Sequence, residues 1–197
     1  MNQSQPSKKW SLSMRIIDLT PDNDKAIQQT AQLLYESFRE HHPDAWPTMD
    51  DALQEVHASF AEDRVSRIAV DDDDNVIGWI GGISQYAGNV WELHPLAVRA
   101  AARGQGVARA LVNDLEARAR ERGGATLWLG TDDENNQTSL SGVDLYPNVW
   151  EHLTKIRNLN NHPYQFYQKM GFVIVGVMPD ANGPGKPDIY MAKRISR

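Results

Sequence analysis

Glu92 and His94 stand two places apart in the run Val90-Trp91-Glu92-Leu93-His94-Pro95-Leu96-Ala97-Val98. Read as a strand, the run alternates its side chains, so the acid and the imidazole share a face. Such a pair can take a proton from a substrate or hold a cation. Pro95 cannot donate to a ladder, which predicts an edge or a bulge. A bulge there would free the N–H of Leu96, a candidate donor to an oxyanion. Shortly downstream comes Arg103-Gly104-Gln105-Gly106-Val107-Ala108. Gly104 and Gly106 lack a Cβ, so the backbone can approach a ligand and aim several N–H groups at it. A helix predicted from about Gly106 to Arg122, closed by Gly123-Gly124, begins at the same spot. Its unpaired N–H groups and positive dipole end make a seat for phosphate, and Arg103 adds a full charge. The chemistry implied is a phosphorylated cofactor lying beside a carboxylate.

Spacing excludes two other phosphate turns. A dinucleotide fingerprint needs glycine at its first, third and sixth places, and the sixth from Gly104 is Arg109. A P-loop needs Gly-Lys followed by Ser or Thr, which does not occur here. Cysteine is absent, which removes disulfides, thiolate metal sites and a cysteinyl acyl intermediate. The histidines at 57, 94, 152 and 162 lack metal-ligand spacing, and His41-His42-Pro43 reads as a helix end, so no metal is expected. Asp71-Asp72-Asp73-Asp74 reads as a solvated turn.

The chain that positions these residues has 197 residues, 41% of them apolar, and a formal net charge of −6. Those values suit one domain with one core. The acidic balance disfavours nucleic acid as a partner and favours cationic small molecules. No apolar run approaches the ~20 residues that cross a bilayer. Lys8-Lys9 is followed by no apolar stretch, so no signal peptide is expected and the cytoplasm is the expected compartment. Residues 1–12 read as a loose polar tail and 13–197 as the domain.

Met14 to Leu19 reads as a first strand. Asp22 or Asp24 can cap a helix to about Glu40, with Ile27, Ala31, Leu34 and Phe38 at helical spacing. Thr48 caps a second, with Met49, Leu53, Val56 and Phe60 on one face. Val65–Val70 and Val76–Ser84 make a hairpin. After the central unit come a strand Ala125–Thr131, a long polar loop from Asp132 to Asn148 and a short helix Val149–Asn158. Pro163 then opens another helix, Tyr164–Met170, before strands Phe172–Met178 and Asp188–Ile195. Helices and strands alternate in one chain, so the class is α/β, or α+β, with a mixed sheet flanked by helices.

The pattern Arg-x-x-Gly-x-Ala between a strand and a helix resembles the coenzyme A pyrophosphate loop of the GCN5-related N-acetyltransferases. Longer segments narrow the resemblance: Trp-Glu-Leu-His-Pro-Leu at 91–96, Leu-Gly-Thr-Asp-Asp at 129–133, His162-Pro163-Tyr164-Gln165-Phe166-Tyr167, the stretch 175–183, and Lys186-Pro187-Asp188-Ile189-Tyr190-Met191-Ala192-Lys193. In this order they resemble the aminoglycoside 6′-N-acetyltransferases of the chromosomal branch, closely over about residues 76–195 and by element order before that.

The resemblance implies an acetyltransferase fold whose sheet splays between strands 90–98 and 125–131, with acetyl-CoA as co-substrate in the gap. It implies direct acetyl transfer to the 6′-amine of an aminoglycoside, giving antibiotic resistance, with no metal. By the same resemblance Glu92 is the base, the Leu96 N–H the oxyanion donor and Tyr167 the proton donor to the leaving thiolate, while His94 tunes Glu92 or a bridging water. Cofactor contacts fall on Leu96, Val98, Arg103, Gly104, Gln105, Gly106, Val107 and Ala108. Substrate contacts fall on Trp46, Tyr86, Glu92, Asp132, Asp133 and Asn135, with Glu134 and Asp144 nearby. Asn135-Asn136 stand where relatives can carry another acid. A homodimer is expected. Two alternatives stay open: a polyamine or protein amine as acceptor, or a non-catalytic acyl-CoA-binding regulator. Glu92 and Tyr167 argue against the last, since a binder has no use for a base and an acid around a thioester.

Overall fold

A computed structural model describes residues 13–39 and 42–196; the expected tail 1–12 and His41 lie outside these. Among the described residues, seven strands and five α-helices follow in the order β1 Arg15–Asp18, α1 Asp24–Phe38, α2 Met49–Ala58, β2 Arg64–Val70, β3 Val76–Gln85, β4 Val90–Val98, α3 Val107–Glu121, β5 Thr126–Asp132, α4 Val149–Thr154, α5 Tyr164–Lys169, β6 Val173–Met178 and β7 Asp188–Arg194. Among the described residues no helix is long and apolar enough to cross a membrane.

Local chemistry sets most boundaries. Thr48 caps α2 as expected, in a capping box completed by Asp51. The cap of α1 is Asn23, between the two aspartates expected: its side chain accepts from the Ala26 N–H at 3.1 Å. Helix α4 stops short of the expected Asn158. The residues after it are spent on the long loop, where Arg157 N donates to Ser139 Oγ at 2.9 Å and Asn158 bridges Thr138.

The seven strands form one sheet in the order β1-β2-β3-β4-β5-β7-β6. Every pairing is antiparallel except β4 with β5. Helix α3 covers one face, where Leu111, Val112 and Leu115 pack with Leu127 and Leu129. Helices α1 and α2 cover the other, where Leu34 and Val56 pack with Ile68 and Trp79. Arg67 is buried between β1 and α3. Desolvation opposes its charge, but Asp114 (2.7 and 3.2 Å) and Asp18 surround it and raise its pKa.

Two departures from a regular sheet shape the centre. First, the parallel pairing of β4 with β5 covers only Val90–Glu92 against Thr126–Trp128. Beyond Glu92 the strands part, which is the expected splay. Second, β4 bulges where Pro95 predicted. Ile80 pairs with Leu96 and Gly82 with Leu93, so His94-Pro95 together face Gly81. A Cβ on Gly81 would lie 2.2 Å from the His94 carbonyl oxygen, so only glycine fits the partner strand there. The bulge also swaps faces. Trp91 and Leu93 pack under α3, whereas Ala97, past the bulge, packs under α1 and α2. Glu92, between Trp91 and Leu93, therefore faces the α1/α2 side.

Candidate active site

The parting of β4 and β5 opens a cleft of about 490 Å³. Leu93, His94, Pro95 and Leu96 form one wall; Gly130, Thr131 and Asp132 form the other. Hydrogen-bond parity fixes what β4 presents to it. Arg99 N donates to Ile77 O at 2.9 Å, so that pair is hydrogen-bonded. Alternation then makes Gly78–Val98 and Ile80–Leu96 non-bonded pairs. The N–H groups of Leu96 and Val98 thus turn away from β3 towards the side where β5 has left. Two backbone donors face the gap without a strand to receive them.

The gap leads to the glycine turn. Val98, Arg103, Gly104, Gly106, Val107 and Ala108 line a second hollow of about 300 Å³, together with Arg109 and Phe166. Gly104 and Gly106 have φ of +73° and +92°, and no atom lies within 4 Å of a Cβ built on either. Glycine is needed here for left-handed backbone, and the space above it stays open for a ligand. Gly106 caps α3 with no side chain, so the first N–H groups of the helix point into the hollow unsatisfied by a cap. Arg103 Nε donates to Val98 O at 3.1 Å, which pins this cation to the strand end. The Gln105 side chain folds back on Ala101 O at 2.8 Å, leaving its backbone as the group that could contact a ligand. An open seat of amides and one fixed cation fits the diphosphate of coenzyme A.

The other face of the split is acidic. Gln85 Nε2 donates to Glu92 Oε2 at 2.6 Å, and Gln85 Oε1 accepts from Trp128 Nε1 at 3.0 Å. The indole can only donate, so it fixes which way the amide points and hence what meets Glu92. This relay spans β3, β4 and β5 where the last two separate. Trp128 meets Tyr190 edge to face at 5.7 Å. Asn182 Nδ2 donates to Asp132 Oδ1 at 2.5 Å. Trp46, in the loop after α1, packs against His94 with centroids 5.7 Å apart and against Phe38 at 4.8 Å, roofing the cleft.

Tyr167 of α5 lines the cleft with its ring almost wholly buried. Burial pushes its phenol above the usual range, so it holds its proton throughout neutral pH. His162 sets the position of this helix. Its Nε2–H donates to Asp132 O at 3.0 Å, and its Nδ1 accepts from Tyr164 N at 3.2 Å. Burial lowers its pKa and keeps the ring neutral, as that donor–acceptor pattern requires. It joins the end of β5 to the start of α5.

Of the residues singled out in the sequence, the cleft and hollow gather Trp46, His94, Leu96, Val98, Arg103, Gly104, Gly106, Val107, Ala108, Asp132 and Tyr167. Asp133 is a correction. It is fully buried, and its two carboxylate oxygens accept from the N–H groups of Gln137 and Thr138, each at 2.7 Å. It organises the long loop and has no free oxygen face for a substrate. Asp144 likewise accepts from Tyr146 N at 3.2 Å, outside the cleft lining. Tyr86 is 77% exposed, next to Gln85 at the tip of the hairpin and off the cleft wall. Asn135 is exposed in the loop after β5.

Several residues at the site gave no signal in the sequence. Gln85, Trp128 and Asn182 are ordinary polar or aromatic positions until the sheet brings them to Glu92 and Asp132. His42 Nδ1 lies 2.6 Å from Glu134 Oε1 across the cleft mouth. Those two and Asp132 place one ligand atom each within 4.8 Å of one another. The histidine–carboxylate contact ties the segment after α1 to the loop after β5. Phe166 borders the hollow at the glycine turn.

The profile of the acetyltransferase (GNAT) family matches residues 27–146. Among curated protein sequences, none matches the chain significantly. An aminoglycoside 6′-N-acetyltransferase solved in complex with coenzyme A superposes with a TM-score of 0.85 at 40% identity, covering 93% of this chain and 98% of the other. The aminoglycoside 6′-N-acetyltransferase from Enterococcus faecium gives 0.84 at 40% identity over the same shares. An aminoglycoside 6′-acetyltransferase of type Ii gives 0.70 at 34%, again over 93% and 98%.

Proposed function

This chain belongs to the acetyltransferase (GNAT) family and is an acetyl-CoA-dependent N-acetyltransferase, and on that premise we propose that it acetylates the 6′-amine of aminoglycosides. The observation that carries the proposal is the split between β4 and β5: amide donors and a glycine turn lie on one side, carboxylates and aromatic rings on the other. A polyammonium sugar needs that second side. Acetyl-CoA supplies an activated acetyl thioester.

The chain's residues then divide the work. Glu92, oriented by Gln85, receives the proton of the substrate ammonium, directly or through water, and so frees the nitrogen lone pair. His94, two residues further along β4 and lining the cleft, tunes that water. The Leu96 N–H donates to the carbonyl oxygen as negative charge builds there. Val98 and the amides from Gly104 to Ala108 hold the cofactor so that its carbonyl stays within reach of the acceptor. As the C–N bond forms and the C–S bond breaks, Tyr167 gives its proton to the leaving sulfur and recovers one, directly or through water, from the second proton that the new amide nitrogen sheds. Trp46 and Asp132 on the cleft, with Asn135 in the loop after β5, contact the sugar rings and their ammonium groups.

We place the enzyme in the cytoplasm, where acetyl-CoA is available, and infer a homodimer. Strand β6 is a sheet edge, and Val173 and Val175 on it are 62% and 51% exposed, an apolar strip that a second copy would cover. Sedimentation of the native protein should give a dimer; a monomer at micromolar concentration removes that part of the reading.

The central test follows thiol release from acetyl-CoA with kanamycin, and then with an aminoglycoside that carries hydroxyl at the 6′ position. Turnover is expected with the amine and little with the hydroxyl. Equal rates on both, or turnover of a polyamine with kanamycin left untouched, would overturn the assignment.

A further inference from the structure

Strand β7 opens with Asp188, which pairs with Asp132 of β5 on one side and Met178 of β6 on the other. Its carboxyl lies over Gly130, a residue of the cleft wall. A Cβ built there would come within 2.5 Å of Oδ2 and 2.9 Å of Oδ1. The bare glycine is what leaves room for the acid. Oδ1 is buried and accepts no hydrogen bond. Among the described ion pairs, none involves Asp188, Asp132 or Glu92. A half-buried carboxylate with one inaccessible oxygen and no counter-charge carries a desolvation cost. Such groups persist where a ligand completes them.

Resting on the aminoglycoside reading above, we propose that Asp188 is a specificity-determining residue, holding beside Asp132 a second ammonium of the acceptor, one that is not acetylated. A cation there satisfies the orphaned oxygen and relieves the crowding of acids in one contact. A mono-amine fills only the reacting position and leaves Asp188 as it is, so the residue selects polycationic acceptors.

The titration of the group follows from its setting. Burial raises its pKa, the charges of Asp132 and then Glu92 raise it further, and the nearby backbone amides of Thr131 and Ile189 offset part of this, leaving it at about 7. The titratable groups that face it are Asp132 from β5, Glu92 from β4 and Tyr190 on its own strand, while β6, Val-Ile-Val-Gly-Val-Met, offers none. A bound ammonium favours the charged form, so binding expels the proton. Below about pH 7 kanamycin must displace that proton, and affinity falls as pH falls.

The test compares wild type with Asp188→Asn. Steady-state rates are measured with kanamycin and with 6-amino-6-deoxyglucose, a sugar with a single amine. Calorimetry of kanamycin binding at pH 7, in buffers of different ionisation heat, counts protons. The variant is expected to raise KM for kanamycin about 10-fold, with kcat changed far less, and to narrow the preference for kanamycin over the single-amine sugar by about the same factor. It should also release fewer protons on binding, by about half a proton, since a group with a pKa of about 7 is half protonated at that pH. A merely structural residue would move neither the discrimination nor the proton count. Removing a half-buried, unpaired charge should leave Tm at pH 8 no lower, so a variant that unfolds would show a structural carboxylate and overturn the proposal. Unchanged KM and proton count in a wild type that acetylates kanamycin would sink this inference alone. A wild type that neither binds nor acetylates kanamycin would sink the functional reading with it.

Discussion

Glu92→Gln is expected to lower kcat/KM for kanamycin by ~10²–10⁴-fold, the usual worth of a positioned general base. The substitution keeps the shape and removes the charge. An amide at 92 can still meet Gln85, so the relay to Trp128 and the start of the splay should stand. Fold and cofactor seat are therefore expected to survive, seen as an unchanged thermal shift with acetyl-CoA. The loss should fall mainly in kcat, because the charge acts on the reacting nitrogen. Raising the pH should recover part of the rate, since more of the amine is then already deprotonated. Rates within about 3-fold of wild type would take Glu92 out of the proton path.

Tyr167→Phe comes second, with an expected fall in kcat of ~10–10³-fold. The ring packs against Phe166 at 5.1 Å and Phe172 at 5.7 Å, contacts that phenylalanine keeps, so little stability should be lost. Only the proton donor goes. A thiolate is a tolerable leaving group by itself, which is why the effect is set below that of Glu92. Burial raises the phenol's pKa, so its proton stays on across neutral pH and no fall in rate there should trace to its ionisation. A further check uses an acyl donor with a more acidic leaving thiol. The gap between variant and wild type should narrow with it. A gap that stays the same would mean that the hydroxyl acts on something other than the sulfur.

Much of this molecule is written in short-range signals. The alternation of Val90–Val98, the proline that bulges it, the glycines with left-handed backbone before α3 and the Thr48 capping box all act within a few residues. Each is fixed by sterics or by a hydrogen bond to a near neighbour, so composition and spacing suffice to read it. The open, left-handed glycine turn ahead of an uncapped helix was legible for that reason. The limits were already visible at short range: Asn23, not either flanking aspartate, caps α1, because side-chain direction chooses among neighbours of similar chemistry.

Sheet order and register decided the rest. Asp132 and Asp133 are adjacent and alike, yet one ends a strand at the cleft while the other turns inward to hold two loop amides. Gln85 meets Glu92 and Trp128 only because β3, β4 and β5 lie side by side, and His42 meets Glu134 only because α1 and β5 end at the same cleft mouth. Asp188 is one acid among many until Gly130 and Asp132 surround it. The sequence alone determined that the glycine turn would stand open, since local geometry creates it, whereas the free N–H groups of Leu96 and Val98 also needed β5 to part from β4. Tertiary structure determined which side chains face them, because strand register sets those distances and leaves no mark on neighbouring residues.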